Sequence, residues 1–156
     1  MSEQVGRVTG LQRSAGGVPK GAVDRAMVRA GGMEGDRQAN RKYHGGPQRA
    51  LCLYSQELLD ALAEAGHPVG RGTLGENVTI RGLPWARMQP GVRVRLGGVD
   101  AEVTSFAPPC KKIAYGFADA DFTRIGEKVN PGWSRVYVRI VSEGEIEVSD
   151  EAILLE

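Results

Sequence analysis

A mainly β fold, closed or nearly closed into a barrel and carrying a few short α-helices, follows from three observations on the sequence. Twenty-two glycines divide 156 residues into short segments that suit strands better than long helices. Apolar residues alternate with polar ones at period two in Val92, Val94 and Leu96, in Val99, Ala101 and Val103, and in Val136, Val138 and Ile140. One stretch alone has a strong amphipathic helical pattern. So many short strands would leave unpaired edges, and closing the sheet on itself is the economical way to remove them.

Along the chain, Gln4 to Leu11 reads as the first strand, Gly16-Gly17 as a turn, and Ala22 to Val28 as the returning hairpin partner. The Gly-rich, charged stretch from Ala30 to Gln48 has no clear period; it is too polar for the core and too long for a turn, and such loops usually carry function or are disordered. Ser55 is a competent N-cap for a helix that places Leu58, Leu59, Leu62 and Ala65 on one face before Gly66 ends it. Asn77 to Ile80 has strand character, and the alternating run after Pro90-Gly91 forms a second hairpin through Gly97-Gly98 into Val99 to Phe106. Ala118 to Lys128 reads as a short helix, and Pro131-Gly132 precedes a strand from Trp133 to Val141. One domain over residues 1–156 is expected, with the motif-bearing core at about 30–145.

Twenty basic and nineteen acidic residues give a net charge of +1, so the global basic field of a dedicated nucleic-acid binder is absent. Charge is nevertheless segregated: Arg37, Arg41, Lys42 and Arg49 are clustered without an acid, whereas residues 141–156 carry six acids and no base. Cys52 and Cys110 lie far apart and make neither a disulfide framework nor a metal-type pair, which suits a reduced, cytoplasmic setting. With no leader-like N-terminus and no apolar run of spanning length, the expectation is a soluble protein without membrane contact.

Cys110 is the principal candidate for chemistry. It follows Pro108-Pro109, which fix their own φ angles and remove two backbone donors, and it precedes Lys111 and Lys112, whose ammonium groups favour the thiolate. That is what a nucleophile or metal ligand requires; an ordinary exposed loop with two solvated lysines would have the same sequence. Cys52, within Ala50-Leu51-Cys52-Leu53-Tyr54, reads as an inert core residue. A zinc site from Cys52, Cys110, His44 and His67 has none of the customary spacings. His44 before Gly45-Gly46, with Lys42 and Arg49 close by, suits backbone and cationic contacts to an anion, or else a structural turn. Gly75-Glu76-Asn77 combines backbone freedom with a carboxylate and an amide, but lacks the spacing of a phosphate-binding loop.

Taken in order, Gly35-Asp36, His44-Gly45-Gly46-Pro47, Arg49-Ala50-Leu51-Cys52 with Tyr54, Gly75-Glu76-Asn77 with Gly82-Leu83, Pro109-Cys110, and Gly132-Trp133 followed by the Val136 strand and Gly144 resemble the MOSC domain. This module is named for the C-terminal part of molybdenum cofactor sulfurases and also occurs as stand-alone bacterial proteins. The resemblance implies a β-barrel of the pyruvate-kinase type. It implies that Cys110 either accepts sulfane sulfur as a persulfide or ligates molybdenum, both suited to a soft thiolate. His44, Gly45, Gly75, Glu76, Asn77, Lys111 and Lys112 would then shape the site for the molybdenum cofactor (molybdopterin). Ala107 stands where many stand-alone members carry an arginine, so Arg93, Arg95, Lys111 and Lys112 become candidates for holding the cofactor's phosphate.

Three classes of function remain open at this point. The first is a sulfur carrier or cofactor-binding domain, with pyridoxal phosphate on a partner desulfurase rather than on this chain. The second is a molybdenum-dependent reductase of N-hydroxylated compounds, whose electrons would come from a separate redox partner. The third is a nucleic-acid or partner-binding module using the Arg37 to Arg49 loop, against which the low net charge argues.

Overall fold

The computed structural model describes residues 4–14, 16, 18–36 and 46–155. Its strands are β1 (Gln4–Arg13), β2 (Gly21–Val23), β3 (Arg25–Arg29), β4 (Gly32–Met33), β5 (Leu51–Ser55), β6 (Val78–Arg81), β7 (Arg93–Leu96), β8 (Val99–Phe106), β9 (Val136–Ser142), β10 (Gly144–Glu147) and β11 (Glu151–Leu155). The α-helix is α1 (Gln56–Glu64), and short 3-10 turns of helix cover Pro47–Arg49, Trp85–Arg87, Lys111–Gly116 and Phe122–Ile125.

The main sheet runs β11-β7-β8-β9-β5-β6-β1-β2, and β11 also pairs with β1, so seven strands close into a barrel with β2 as an appendage. The closing seam is antiparallel, from Gln4 opposite Leu154 to Arg7 opposite Glu151. The alternation read from the sequence points inward: Val94, Leu96, Val99, Ala101, Val103, Val136 and Val138 are all essentially inaccessible, with Val92 and Ile140 half-buried. Each fully buried aliphatic side chain of this kind contributes about 1.5–3 kcal/mol.

The one parallel pair of the barrel, β5 with β6, is bridged by α1, as a parallel connection requires a crossover. Ser55 caps α1 as expected, its hydroxyl accepting the Leu58 N–H at 3.2 Å, and Gly66 beyond its end adopts φ +100°. Leu59 and Leu62 bury the inner face. No helix among the described residues is long and apolar enough to cross a membrane.

Two local expectations change. Gly21–Val23 does return on β1, but Arg25–Arg29 leaves that hairpin and pairs with β10 in a separate three-stranded sheet, β10-β3-β4. This sheet can pack against the barrel because residue 144 is glycine: a Cβ there would collide with the Gly98 carbonyl. The Ala118 to Lys128 segment forms only the Phe122–Ile125 turn, because Asp119 and Asp121 fold back to accept the N–H groups of Asp121 and Thr123, an arrangement that competes with a regular helix.

A buried polar knot ties these elements beneath the site. The Asp36 carboxylate accepts from Lys20 Nζ at 2.6 and 2.8 Å, from the Ser14 N–H at 3.0 Å and from Asn77 Nδ2 at 3.0 Å. Asn77 also donates to the Gln12 carbonyl, while its Oδ1 accepts the Cys52 N–H at 3.0 Å. The start of the charged stretch is therefore part of the interior: Met33 is buried and the Asp36 side chain is only 5% exposed. Asn77→Ala leaves Asp36 and the Cys52 N–H each short of a partner in a dry environment, and chemical denaturation is expected to show a loss of roughly 2–4 kcal/mol.

Candidate functional site

Strand β8 ends at Phe106, and the next residues cross one end of the barrel as an irregular strap. Ala107 is buried and its N–H still bonds to the Arg135 carbonyl at 2.8 Å; Pro108 is exposed, and Pro109 and Cys110 are half-buried. Cys110 is extended, at φ −143° and ψ 168°, and begins the Lys111–Gly116 turn of helix. Its thiol is free, and Lys111 and Lys112 beside it are exposed. A cavity of about 480 Å3 lies against the prolines, with Phe106, Pro108, Pro109, Thr123, Lys128 and Val129 among its lining residues.

Beneath the strap is a group that the sequence did not reveal. Arg135 is only 6% exposed, and its guanidinium donates to the carbonyls of Leu74 at 2.8 Å, Pro108 at 3.2 Å and Ala107 at 3.5 Å. Its Nε finds no acceptor. The side chain therefore sits against Ala107, while Arg95, one of the substitutes expected from the sequence, pairs with Asp100 at 2.8 Å on the barrel wall, and Arg93 is exposed on the same strand.

Glu76 lies in the same interior, fully buried, with neither carboxylate oxygen in a hydrogen bond. Burial raises its pKa from 4.5 to about 7. The backbone N–H groups of Glu76, Gly72 and Leu74 and the charge of Arg135 pull the other way, none of them meeting the carboxylate at full hydrogen-bond geometry. Tyr115, on the helical turn after Cys110, feels the same carboxylate, and its hydroxyl donates to the Thr73 carbonyl.

The two cysteines differ in environment. Cys52 is 3% exposed in a small apolar cluster with Ala107 and Tyr137, and burial pushes its thiol up to about 11 despite nearby Arg135. Tyr137 stands between the two regions: opposite Cys52 on β5, stacked under the Arg49 guanidinium at 5.1 Å, and raised to about 12 by burial, with both cysteines within electrostatic range.

Gly75 holds the turn before Glu76 at φ +83°, and Asn77 is fully buried in the scaffold knot described above. His44 and Gly45 fall outside the described residues. His67, from the zinc alternative, instead accepts the Ala118 N–H at 3.0 Å and packs on Phe117. Among the described residues no group of three or more His, Cys, Asp or Glu side chains is arranged to hold a metal ion.

With this geometry in view, residues 40–152 match the MOSC domain. The chain is 33% identical over 107 residues to Protein YiiM of Escherichia coli (strain K12), a match covering 65% of this chain and 48% of that protein. It is 28% identical over 138 residues to the uncharacterized protein YflK of Bacillus subtilis (strain 168), covering 88% of this chain and 62% of that one. The chain thus spans between about half and three-fifths of these relatives' lengths. The crystal structure of YiiM from Escherichia coli superposes on the whole chain with a TM-score of 0.68 at 25% identity, covering 70% of that protein. The YuaD protein of Bacillus subtilis gives 0.73 at 16% identity over 99% of both chains, a likeness of fold alone.

The Glu76 shift fixes the sign of one test. A carboxyl whose folded pKa lies above its unfolded value adds stability that is complete below about pH 4.5 and lost as pH rises through about 7. Glu76→Gln removes the burden of a buried anion, so thermal unfolding should show the variant stabilised by up to about 2–3 kcal/mol at about pH 9 and little changed at about pH 4. A second test reads accessibility: iodoacetamide should label Cys110 in the folded protein, whereas Cys52 should react only after denaturation, as peptide mapping would show.

Proposed function

The chain belongs to the MOSC domain family, and from that premise we propose that it is a molybdenum-cofactor-related sulfur carrier or cofactor-binding domain in which Cys110 is the sulfur acceptor or the molybdenum ligand. The observation that carries this reading is the contrast between the two thiols: Cys52 is sealed in the core, and Cys110 is free and half-buried on a strap held over a buried guanidinium.

The donor set suits such a group. A metal arriving with its own ligands needs only one soft donor from the protein, and Cys110 supplies a thiol where the described residues offer no multi-residue cage. The orphaned Arg135 Nε below the strap and the exposed Lys111 and Lys112 beside it favour an anionic group. When bound, the molybdenum cofactor would supply a thiophilic, redox-active metal; the chain would hold it through Cys110 and hold its negative charge through the lysines.

In the carrier role the Cys110 thiolate attacks the outer sulfur of a persulfide on a cysteine desulfurase-type donor. A new S–S bond forms on Cys110, the donor's S–S bond breaks, and the donor thiolate leaves with its electron pair, so no external oxidant or reductant is required. Pyridoxal phosphate belongs to that donor.

Molybdenum and cyanide-releasable sulfur, measured together on protein from a cofactor-competent host, test the proposal. Stoichiometric molybdenum lost in Cys110→Ser indicates ligation, and metal-free protein whose labile sulfur is lost in the same variant indicates the carrier. Protein with neither, or with either retained in full by Cys110→Ser, refutes it.

A further inference from the structure

We propose that Arg135 and Tyr115 are positioning residues for Cys110, clamping the strap that bears it to the Gly72–Glu76 turn from both sides. On the N-terminal side, Arg135 joins the Leu74 carbonyl at 2.8 Å to the Pro108 carbonyl at 3.2 Å, so one guanidinium spans the turn and the strap two residues before the thiol. On the C-terminal side, Tyr115 donates to the carbonyl of Thr73, the neighbouring residue of the same turn. Next to the second clamp, Gly116 lies so close to the turn that a Cβ there would touch Leu74 Cδ2 at 2.9 Å.

The turn is a firm base. Thr73 and Gly75 donate their N–H groups to the carbonyls of Gly70 and Gly72, and the Gly72 carbonyl also accepts the Lys20 N–H at 3.0 Å. Lys20 is the residue whose ammonium is locked by Asp36. Cys110 is thereby connected to the barrel interior through hydrogen bonds on both flanks, which is what a thiol needs to meet a large donor or cofactor in one orientation. The fork geometry of arginine is essential, since several carbonyls must be bridged by one planar group. Nothing in the composition around Cys110 indicates either clamp.

The proposal rests on Cys110 being the reactive centre, and the experiment separates the two claims. Tyr115→Phe is the informative variant, because Tyr115 is 48% exposed and loses only its hydroxyl; Arg135→Lys, which retains the charge without the fork, accompanies it. Persulfide loading of Cys110 is followed with a cysteine desulfurase and cysteine as donor. Each variant should lower the maximal loading rate by on the order of ten-fold and speed iodoacetamide labelling of Cys110, while the donor concentration that gives half-maximal loading does not fall. Wild-type maximal loading in Tyr115→Phe overturns the proposal, even if Arg135→Lys fails to fold. If the wild type accepts no sulfur, the carrier reading fails alone. The clamps are then judged by iodoacetamide labelling, which should be faster in Tyr115→Phe; an unchanged rate there overturns them.

Discussion

The end of the barrel that carries the candidate site depends on one carboxylate. Asp36 draws together a lysine from the β1–β2 connection, a backbone N–H at the end of β1 and the amide of Asn77 at the start of β6. Burying that charge is unfavourable unless its lone pairs are filled, and here the donors come from separate parts of the chain, so the desolvation that would penalise a stray carboxylate instead penalises any arrangement that separates them. The knot is therefore better understood as a device of registry than as a source of net stability. Asn77 extends it to the Cys52 backbone, and Lys20 extends it to the turn on which the Cys110 strap is seated.

Glu76 and Arg135 show the opposite treatment of buried charge. Neither is saturated: the carboxylate lacks hydrogen bonds and the guanidinium retains a free N–H, although each is almost wholly removed from solvent. Native interiors rarely tolerate such groups, and where they persist they mark places in which the fold is not optimised for stability alone. Both are close to the strap that bears Cys110: Arg135 bonds to its Ala107 and Pro108 carbonyls, and the Glu76 carboxylate lies within electrostatic range of Arg135 and of Tyr115.

The barrel was legible because its information is local. Period-two alternation reports which side of a strand faces the core, and Ser55 and Gly66 mark the limits of a helix through the chemistry of its ends. The separate sheet was not legible, because β10 reaches the barrel through a close backbone approach of Gly144 to Gly98 in the β7–β8 turn, and a glycine in sequence does not say what it lies against. Arg135 was missed for a related reason. Residues 134–138 are buried on both faces, so alternation vanishes where the strand passes under the strap, and a single arginine there looks like any solvent-facing cation. The prominence of Cys110 came from its prolines and lysines, whereas its supports come from residues distant in sequence.

The seam between β1 and β11 joins Gln4 to Leu154, so the ring contains one contact that encloses nearly the whole described chain and another, across α1, that is almost local. Loop-closure entropy separates these events in difficulty: the β5–α1–β6 unit needs only a short excursion, whereas the seam needs the two ends of the sequence to meet. On a ribosome, β1 emerges before β11 and must wait, with one edge unpaired, until β11 has cleared the exit tunnel. During that interval its unpaired backbone N–H and C=O groups are available to any passing strand, which makes the order of synthesis itself an aggregation hazard for this topology.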